Sequence, residues 1–119
     1  TALAQTIANG KICRIKYGSY TGNGKYGAAN AVSIECGFYP LLVVVSSSSS
    51  SHYWAVRGFD KFYYNNNREN EMTWGDTGVS WYYPQDDQYY SPSGNQMNAI
   101  DTTYYYLVLG YSNDGEQGN

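Results

Sequence analysis

Short segments of alternating side chains, separated by turn-forming residues, recur along the chain and constrain its fold more than any other feature. Apolar and polar residues alternate over residues 11–17 and 31–38, whereas residues 41–45 are continuously apolar and residues 102–110 form a further strand-like run. A period of two is the signature of a half-buried strand. Because such segments recur at short spacing in 119 residues, the sequence predicts an all-β fold, an antiparallel β-sandwich of a single domain.

The remaining segments divide the chain further. Residues 1–10 are predicted to be an N-terminal arm or connector, and residues 11–119 the β-sandwich recognition domain. Six serines at residues 46–51 are typical of a flexible loop or a hairpin connection. Residues 61–71 and 84–95 are rich in Asn, Tyr and other polar residues, and we predict loops there.

The first two strands are predicted to form a hairpin around a turn-rich segment that contains an Asn-Gly pair. Symmetrical pairing would create one apolar face from three opposed pairs, namely Cys13 with Cys36, Ile15 with Ile34, and Tyr17 with Val32. Opposed cysteines could form a disulfide, or they could be two small buried thiols in a protein folded under reducing conditions. We favour the reduced thiols, because a fold of this length does not need a cross-link.

Charge and hydropathy bound the classes of partner. The formal net charge is −3, and the seven Lys and Arg residues are scattered, which argues against a nucleic-acid partner. No run of about 18 apolar residues is present, so we expect no membrane insertion. Adjacent Asp86 and Asp87 lack the spacing of a calcium-binding loop and are more typical of a solvated turn. We therefore expect no metal and no cofactor.

Catalytic motifs are weak, and we expect a chain that is not an enzyme. His52 adjoins the serine run, but no Gly-x-Ser-x-Gly elbow holds a nucleophile. Glycines at positions 22, 24 and 27 imitate a dinucleotide-binding pattern that lacks its following helix. No motif positions a pair of carboxylates for glycan cleavage. If the chain is an enzyme, a glycan depolymerase is the alternative that stays open.

Tyrosine is the residue type that indicates binding. Fifteen Tyr and thirteen Gly, with many Ser and Asn, resemble the composition of antibody binding loops, in which Tyr offers a large amphipathic contact area at low entropic cost. Paired aromatics on strands must point to opposite faces. We expect Trp81, Phe38 and Trp74 in the core, and Tyr17 in a structural role. The predicted ligand-binding residues lie in or beside loops and are Tyr53, Tyr63, Tyr64, Asn66, Tyr89 and Tyr90.

Several glycine- and aromatic-rich blocks resemble a known pattern. These blocks are residues 15–24, 37–45, 78–82, 96–99 and 104–110. The pattern is similar to the C-terminal receptor-binding domains of phage tail fibre and minor structural proteins, and to H-type lectin-like domains. The resemblance implies a lectin-like β-sandwich assembled as a homotrimer. It implies a place in the virion, at the tip of a tail fibre or appendage made in the bacterial cytoplasm. It also implies host recognition through a bacterial surface glycan or protein.

Two other non-enzymatic functions stay open. Residues 52–113 also resemble the variable ligand-binding proteins of diversity-generating retroelements, which are rich in Tyr, Asn, Ser and Asp at binding positions. The chain could instead be a structural or assembly module, such as a decoration or filament subunit. Self-association through an aromatic face, without a ligand, would favour that last function.

Overall fold

Two antiparallel four-stranded sheets make up the fold in a computed structural model that describes residues 12–48, 52–58, 61–64, 68–84 and 92–112. The eight strands are β1 (Ile12–Thr21), β2 (Val32–Glu35), β3 (Tyr39–Ser47), β4 (His52–Val56), β5 (Lys61–Tyr64), β6 (Arg68–Trp74), β7 (Gly78–Tyr82) and β8 (Thr103–Ser112). A 3-10 turn at Ala28–Asn30 and a one-turn helix α1 (Pro92–Asn95) complete the described elements. The predicted all-β sandwich is confirmed. The predicted arm at residues 1–10 lies outside the described residues.

Sheet 1 has the strand order β1-β8-β3-β4, and sheet 2 has the order β2-β7-β6-β5. Between the sheets lies one apolar core. Its members that are fully shielded from solvent include Val43, Val45, Trp81, Met97 and Val108. The continuously apolar residues 41–45 lie in β3, which is central in sheet 1 between β8 and β4, but only Val43 and Val45 of them are fully buried. β3 and β4 form a hairpin, and the serine run lies where they connect: Ser46 and Ser47 belong to the end of β3, and residues 49–51 lie outside the described residues.

The predicted pairing of the first two strands is wrong. β1 pairs with β8, so that Cys13 lies opposite Tyr111, whereas β2 belongs to sheet 2 and pairs with β7. Alternation shows that a segment is a strand but does not identify its neighbour. Both cysteines are free: Cys13 is exposed, and the Cys36 thiol lies 3.1 Å from the carbonyl oxygen of Phe38.

The connection between β1 and β2 crosses from one sheet to the other because a buried polar segment holds it there. The side-chain oxygen of Gln96 accepts hydrogen bonds from the backbone N–H groups of Gly27 (2.9 Å) and Tyr83 (2.8 Å), and its amide nitrogen donates to the carbonyl oxygen of Asn30 (2.8 Å). Asn98 donates to the side-chain oxygen of Asn23 at 2.8 Å. These bonds replace the ladder of hydrogen bonds that a hairpin would have supplied.

Residues 61–64 and 68–71 form strands where a loop was predicted, and residues 65–67 lie outside the described residues. These strands are β5 and the first part of β6, which pair antiparallel with each other. A turn joins β6 to β7 at residues 75–78, where the N–H of Gly75 donates to the carbonyl oxygen of Gly78 at 2.8 Å. Of the predicted loop at residues 84–95, the described part includes α1, and residues 85–91 lie outside the described residues.

The aromatic residues divide between core and surface as alternation requires. Trp81 and Phe38 are buried, as predicted, and Trp74 packs against the core while staying partly exposed. Tyr104 is buried, whereas its neighbour Tyr105 is exposed. The structural role expected for Tyr17 is wrong, since 80% of this residue is accessible to solvent.

Candidate functional site

The outer surface of sheet 1 is apolar across all four strands. Strand registers place Tyr17, Leu107, Val44 and Trp54 in one row across the sheet. Ile15, Leu109, Leu42 and Val56 form the next row. With Tyr105, these eight residues form a continuous surface that we call the apolar face. A sheet places alternate residues of every strand on this side, so these side chains all project from one side of sheet 1.

Exposure is high over this surface. Trp54 is 68% exposed, Ile15 is 58% exposed and Tyr105 is 55% exposed, in addition to Tyr17. The three aromatics, at about 150–250 Å² for a whole side chain, expose roughly 450 Å² between them, and the exposed parts of Ile15, Val56 and Leu107 bring the apolar face to roughly 700 Å². The largest apolar patch of a typical monomer is about 300–600 Å² and is itself often functional. The apolar face therefore exceeds what a protein normally leaves in contact with water.

Strand β1 contributes to this surface in an unexpected way. Its charged side chains lie on the side of sheet 1 that faces sheet 2. Lys16 donates to the carbonyl oxygen of Glu35 in sheet 2 at 2.7 Å, and Arg14 donates to the hydroxyl of Ser112 at 3.0 Å. Its apolar side chains, Ile15 and Tyr17, point outward. The sequence predicted the opposite assignment, because an amphipathic strand usually turns its apolar side to the core.

A polar margin borders the apolar face. Ser19, Ser46 and His52 form this margin, in the row beyond Tyr17 that also holds Tyr105. Nδ1 of His52 lies 2.8 Å from the hydroxyl oxygen of Ser46, within hydrogen-bonding distance. A serine–histidine pair can form part of a nucleophilic site, but a working triad also needs a group that orients the histidine. In the described part of the chain no carboxylate is hydrogen-bonded to His52.

The predicted binding residues separate in the structure. Tyr53 lies on β4 opposite Val45, is half-buried and packs against the core. Tyr63 and Tyr64 lie on β5, at the edge of sheet 2. The other three predicted residues, Asn66, Tyr89 and Tyr90, lie outside the described residues. Exposed Trp54, Tyr17 and Tyr105 were not among the predicted site residues, although alternation beside the buried Tyr104 could have indicated Tyr105.

The tyrosine-rich segments leave the described strands at a common place. β6 is antiparallel to both β5 and β7, so the C-terminal ends of β5 and β7 lie together, beside the start of β6. Tyr64 pairs with Arg68 there, and Pro84 follows the end of β7. We call this end of sheet 2, formed by Tyr64, Arg68 and Pro84, the tyrosine end. After residues 85–91 the described chain resumes at α1, where the carbonyl oxygen of Asn95 accepts a hydrogen bond from Asn70 of β6.

A shallow polar groove of about 240 Å³ lies on the outer surface of sheet 2. Its lining includes the hydroxyl residues Ser33, Thr73 and Ser80, with Glu35 and Asp76 near the β6–β7 turn. Across the described residues, no group of three or more His, Cys, Asp or Glu side chains is placed to hold a metal ion. Within the same residues, no helix is both long and apolar enough to cross a membrane.

Comparison of the chain with family models, curated proteins and solved structures finds no match.

Proposed function

We propose that this chain is the receptor-binding domain of a phage tail fibre or phage-like appendage. It recognises a bacterial cell-surface glycan or protein, and it acts by binding rather than by catalysis. The observation that carries the proposal is the tyrosine end, where strand order brings together the two points from which Tyr- and Asn-rich segments leave the sheet. The resemblance of the sequence blocks to phage tail proteins adds the biological setting.

Physical chemistry supports this use of the tyrosine end. Binding residues commonly lie on connections that a rigid scaffold positions, and here the scaffold is three hydrogen-bonded strands. Tyrosine loses little conformational entropy when it is fixed, and its ring can stack on a sugar while its hydroxyl donates or accepts a hydrogen bond. Tyr63, Tyr64, Asn66, Tyr89 and Tyr90 are the residues proposed to make these contacts.

Substitution of tyrosines tests this proposal. Tyr89→Ala and Tyr90→Ala together should lower adsorption of the domain to host cells by roughly 30-fold or more, the effect of losing about 2 kcal/mol at a binding hot spot. Tyr17→Ala is the matched control, because it removes an exposed Tyr from the apolar face. Unchanged adsorption by a folded Tyr89→Ala, Tyr90→Ala protein would contradict the proposed site.

A structural or assembly module is the second candidate function, and the apolar face favours it. If assembly is the principal function, substitutions on the apolar face should abolish activity in the intact particle, while those at the tyrosine end should leave it unchanged. Binding of a glycan array or of host cells, retained by a variant altered only on the apolar face, would favour receptor binding instead.

A further inference from the structure

We propose that the apolar face is the surface through which copies of this chain associate with one another. The inference does not depend on what the tyrosine end binds. It rests on the area of the face, on its lack of charge, and on the orientation of β1.

The area of the apolar face matches what an interface between copies requires. Roughly 700 Å² is exposed on each chain. A stable protein–protein interface of standard size buries about 800 Å² on each partner. Two sheets can pack face to face at a spacing of about 10 Å, and the outer side of sheet 1 offers four strands for such packing.

The apolar face lacks charge throughout. The outward positions of the four strands hold aliphatic and aromatic residues, with Ser, Thr, Cys and His at the margins and no Asp, Glu, Lys or Arg. One charge lies beside the face: the guanidinium of Arg57, just after β4, is 3.7 Å from the centroid of the Tyr39 ring. The core of a protein interface is likewise depleted of charge and enriched in Tyr and Trp. In a symmetric contact every patch meets a copy of itself or of a neighbouring patch. A surface without charges can meet itself without repulsion, and this favours a second copy as the occupant.

The orientation of β1 gives an independent reason. Arg14 and Lys16 lie on the side of β1 that faces sheet 2, while Ile15 and Tyr17 point to solvent. A shift of one residue in the register of β1 would reverse this arrangement and place Arg14 and Lys16 on the apolar face instead. An edge strand that keeps its apolar side outward is stabilised when that side is buried in an assembly.

A glycan fits the apolar face less well than a protein does. Sugars need several hydrogen-bonding groups close to the stacking rings, and the middle strands β8 and β3 present Leu107, Leu109, Leu42 and Val44 instead. The hydrogen-bonding side chains of this region, such as Ser46 and His52, are at its margin.

A matched pair of substitutions tests the proposal. Ile15→Lys places a charge on the apolar face, and Ile100→Lys makes the same change outside it, in the turn before β8, where Ile100 is 67% exposed. Sedimentation equilibrium and light scattering of the 119-residue chain, over micromolar to millimolar concentrations, measure its association. Ile15→Lys should raise the dissociation constant by about 30-fold or more, and Ile100→Lys should leave it within about threefold.

Tyr17→Lys is a second variant on the apolar face, and its side chain is so exposed that the isolated chain should fold normally. Thermal unfolding verifies that each variant is folded. A native chain that stays monomeric at millimolar concentration would overturn the proposal, as would association that survives both face substitutions. Receptor binding by the monomeric variants would be retained if the proposed function is correct, so the two proposals fail separately.

Discussion

Gln96 is the side chain whose replacement tests the architecture most directly. It is completely buried, and its amide joins three backbone groups from two parts of the chain: Gly27 and Asn30 in the connection between β1 and β2, and Tyr83 after β7. Gln96→Met removes these three hydrogen bonds while keeping nearly the same length and volume. A cavity therefore contributes little to the change in stability.

The expected loss follows from the surroundings of each lost bond. The backbone N–H of buried Tyr83 would be left without a partner, at a cost of about 1–3 kcal/mol. Gly27 and Asn30 are accessible enough for water to replace the amide, so each should cost about 0.5–1.5 kcal/mol. Burial of an apolar thioether in place of an amide offsets about 1–2 kcal/mol. The free energy of unfolding should fall by about 3 kcal/mol, a large part of the ~5–15 kcal/mol typical of a domain.

Equilibrium unfolding in urea measures this loss through the fluorescence of buried Trp81, whose indole N–H donates to the carbonyl oxygen of Gln96 at 2.8 Å. For a slope of about 1.5 kcal/mol per molar urea, the midpoint should fall by about 2 M. Ile100→Met is the control, because it introduces the same residue at an exposed position and should change stability by less than about 0.5 kcal/mol. All samples need one protein concentration, since association would add to stability. A loss below about 1 kcal/mol for Gln96→Met would refute the reasoning.

Two further predictions concern the β1–β2 connection and the tyrosine beneath it. Gly22→Ala should lower the free energy of unfolding by more than about 3 kcal/mol or prevent folding, because a Cβ there would lie 2.0 Å from the carbonyl oxygen of Ala99. Gly37→Ala is the control, because its Cβ would meet open space and only about 1 kcal/mol of backbone strain is expected. Equal melting temperatures for the two variants would contradict the steric argument. Burial raises the pKa of the Tyr20 phenol, so the native state holds this proton more tightly than the unfolded chain does. Its contribution to stability should be complete below about pH 10 and decrease as the pH rises further. Tyr20→Phe should weaken this decrease in stability at alkaline pH. At neutral pH it should cost about 1 kcal/mol, because the hydrogen bond to the carbonyl oxygen of Met97 is lost. An unchanged slope of stability against pH would contradict the role of the Tyr20 phenol.

The candidate surfaces were less predictable than the strands. Clustered Tyr and Asn led to predicted binding residues in or beside loops, and the strand order brings together the two strand ends from which the Tyr- and Asn-rich segments leave sheet 2. The apolar face could not be predicted, because it combines residues from β1, β3, β4 and β8, which are distant in sequence. Tyr53 and Trp54 illustrate the difficulty: the sequence requires them to face opposite ways, but only the sheet packing shows that Trp54 is the exposed one.

The sequence by itself determined where most strands lie and which residues of a strand share a side. Val79, Trp81 and Tyr83 are buried together, as alternation along β7 required. This information is local, because side-chain direction alternates with the backbone in any strand.

Only the tertiary structure decided which strands are neighbours and which side of each faces the core. β1 shows the physical reason: its two sides are equally consistent with its own alternation, and its position at the edge of sheet 1 decides between them. The apolar side that the sequence assigned to the core therefore lies on the outer surface, where we propose that another copy of the chain covers it.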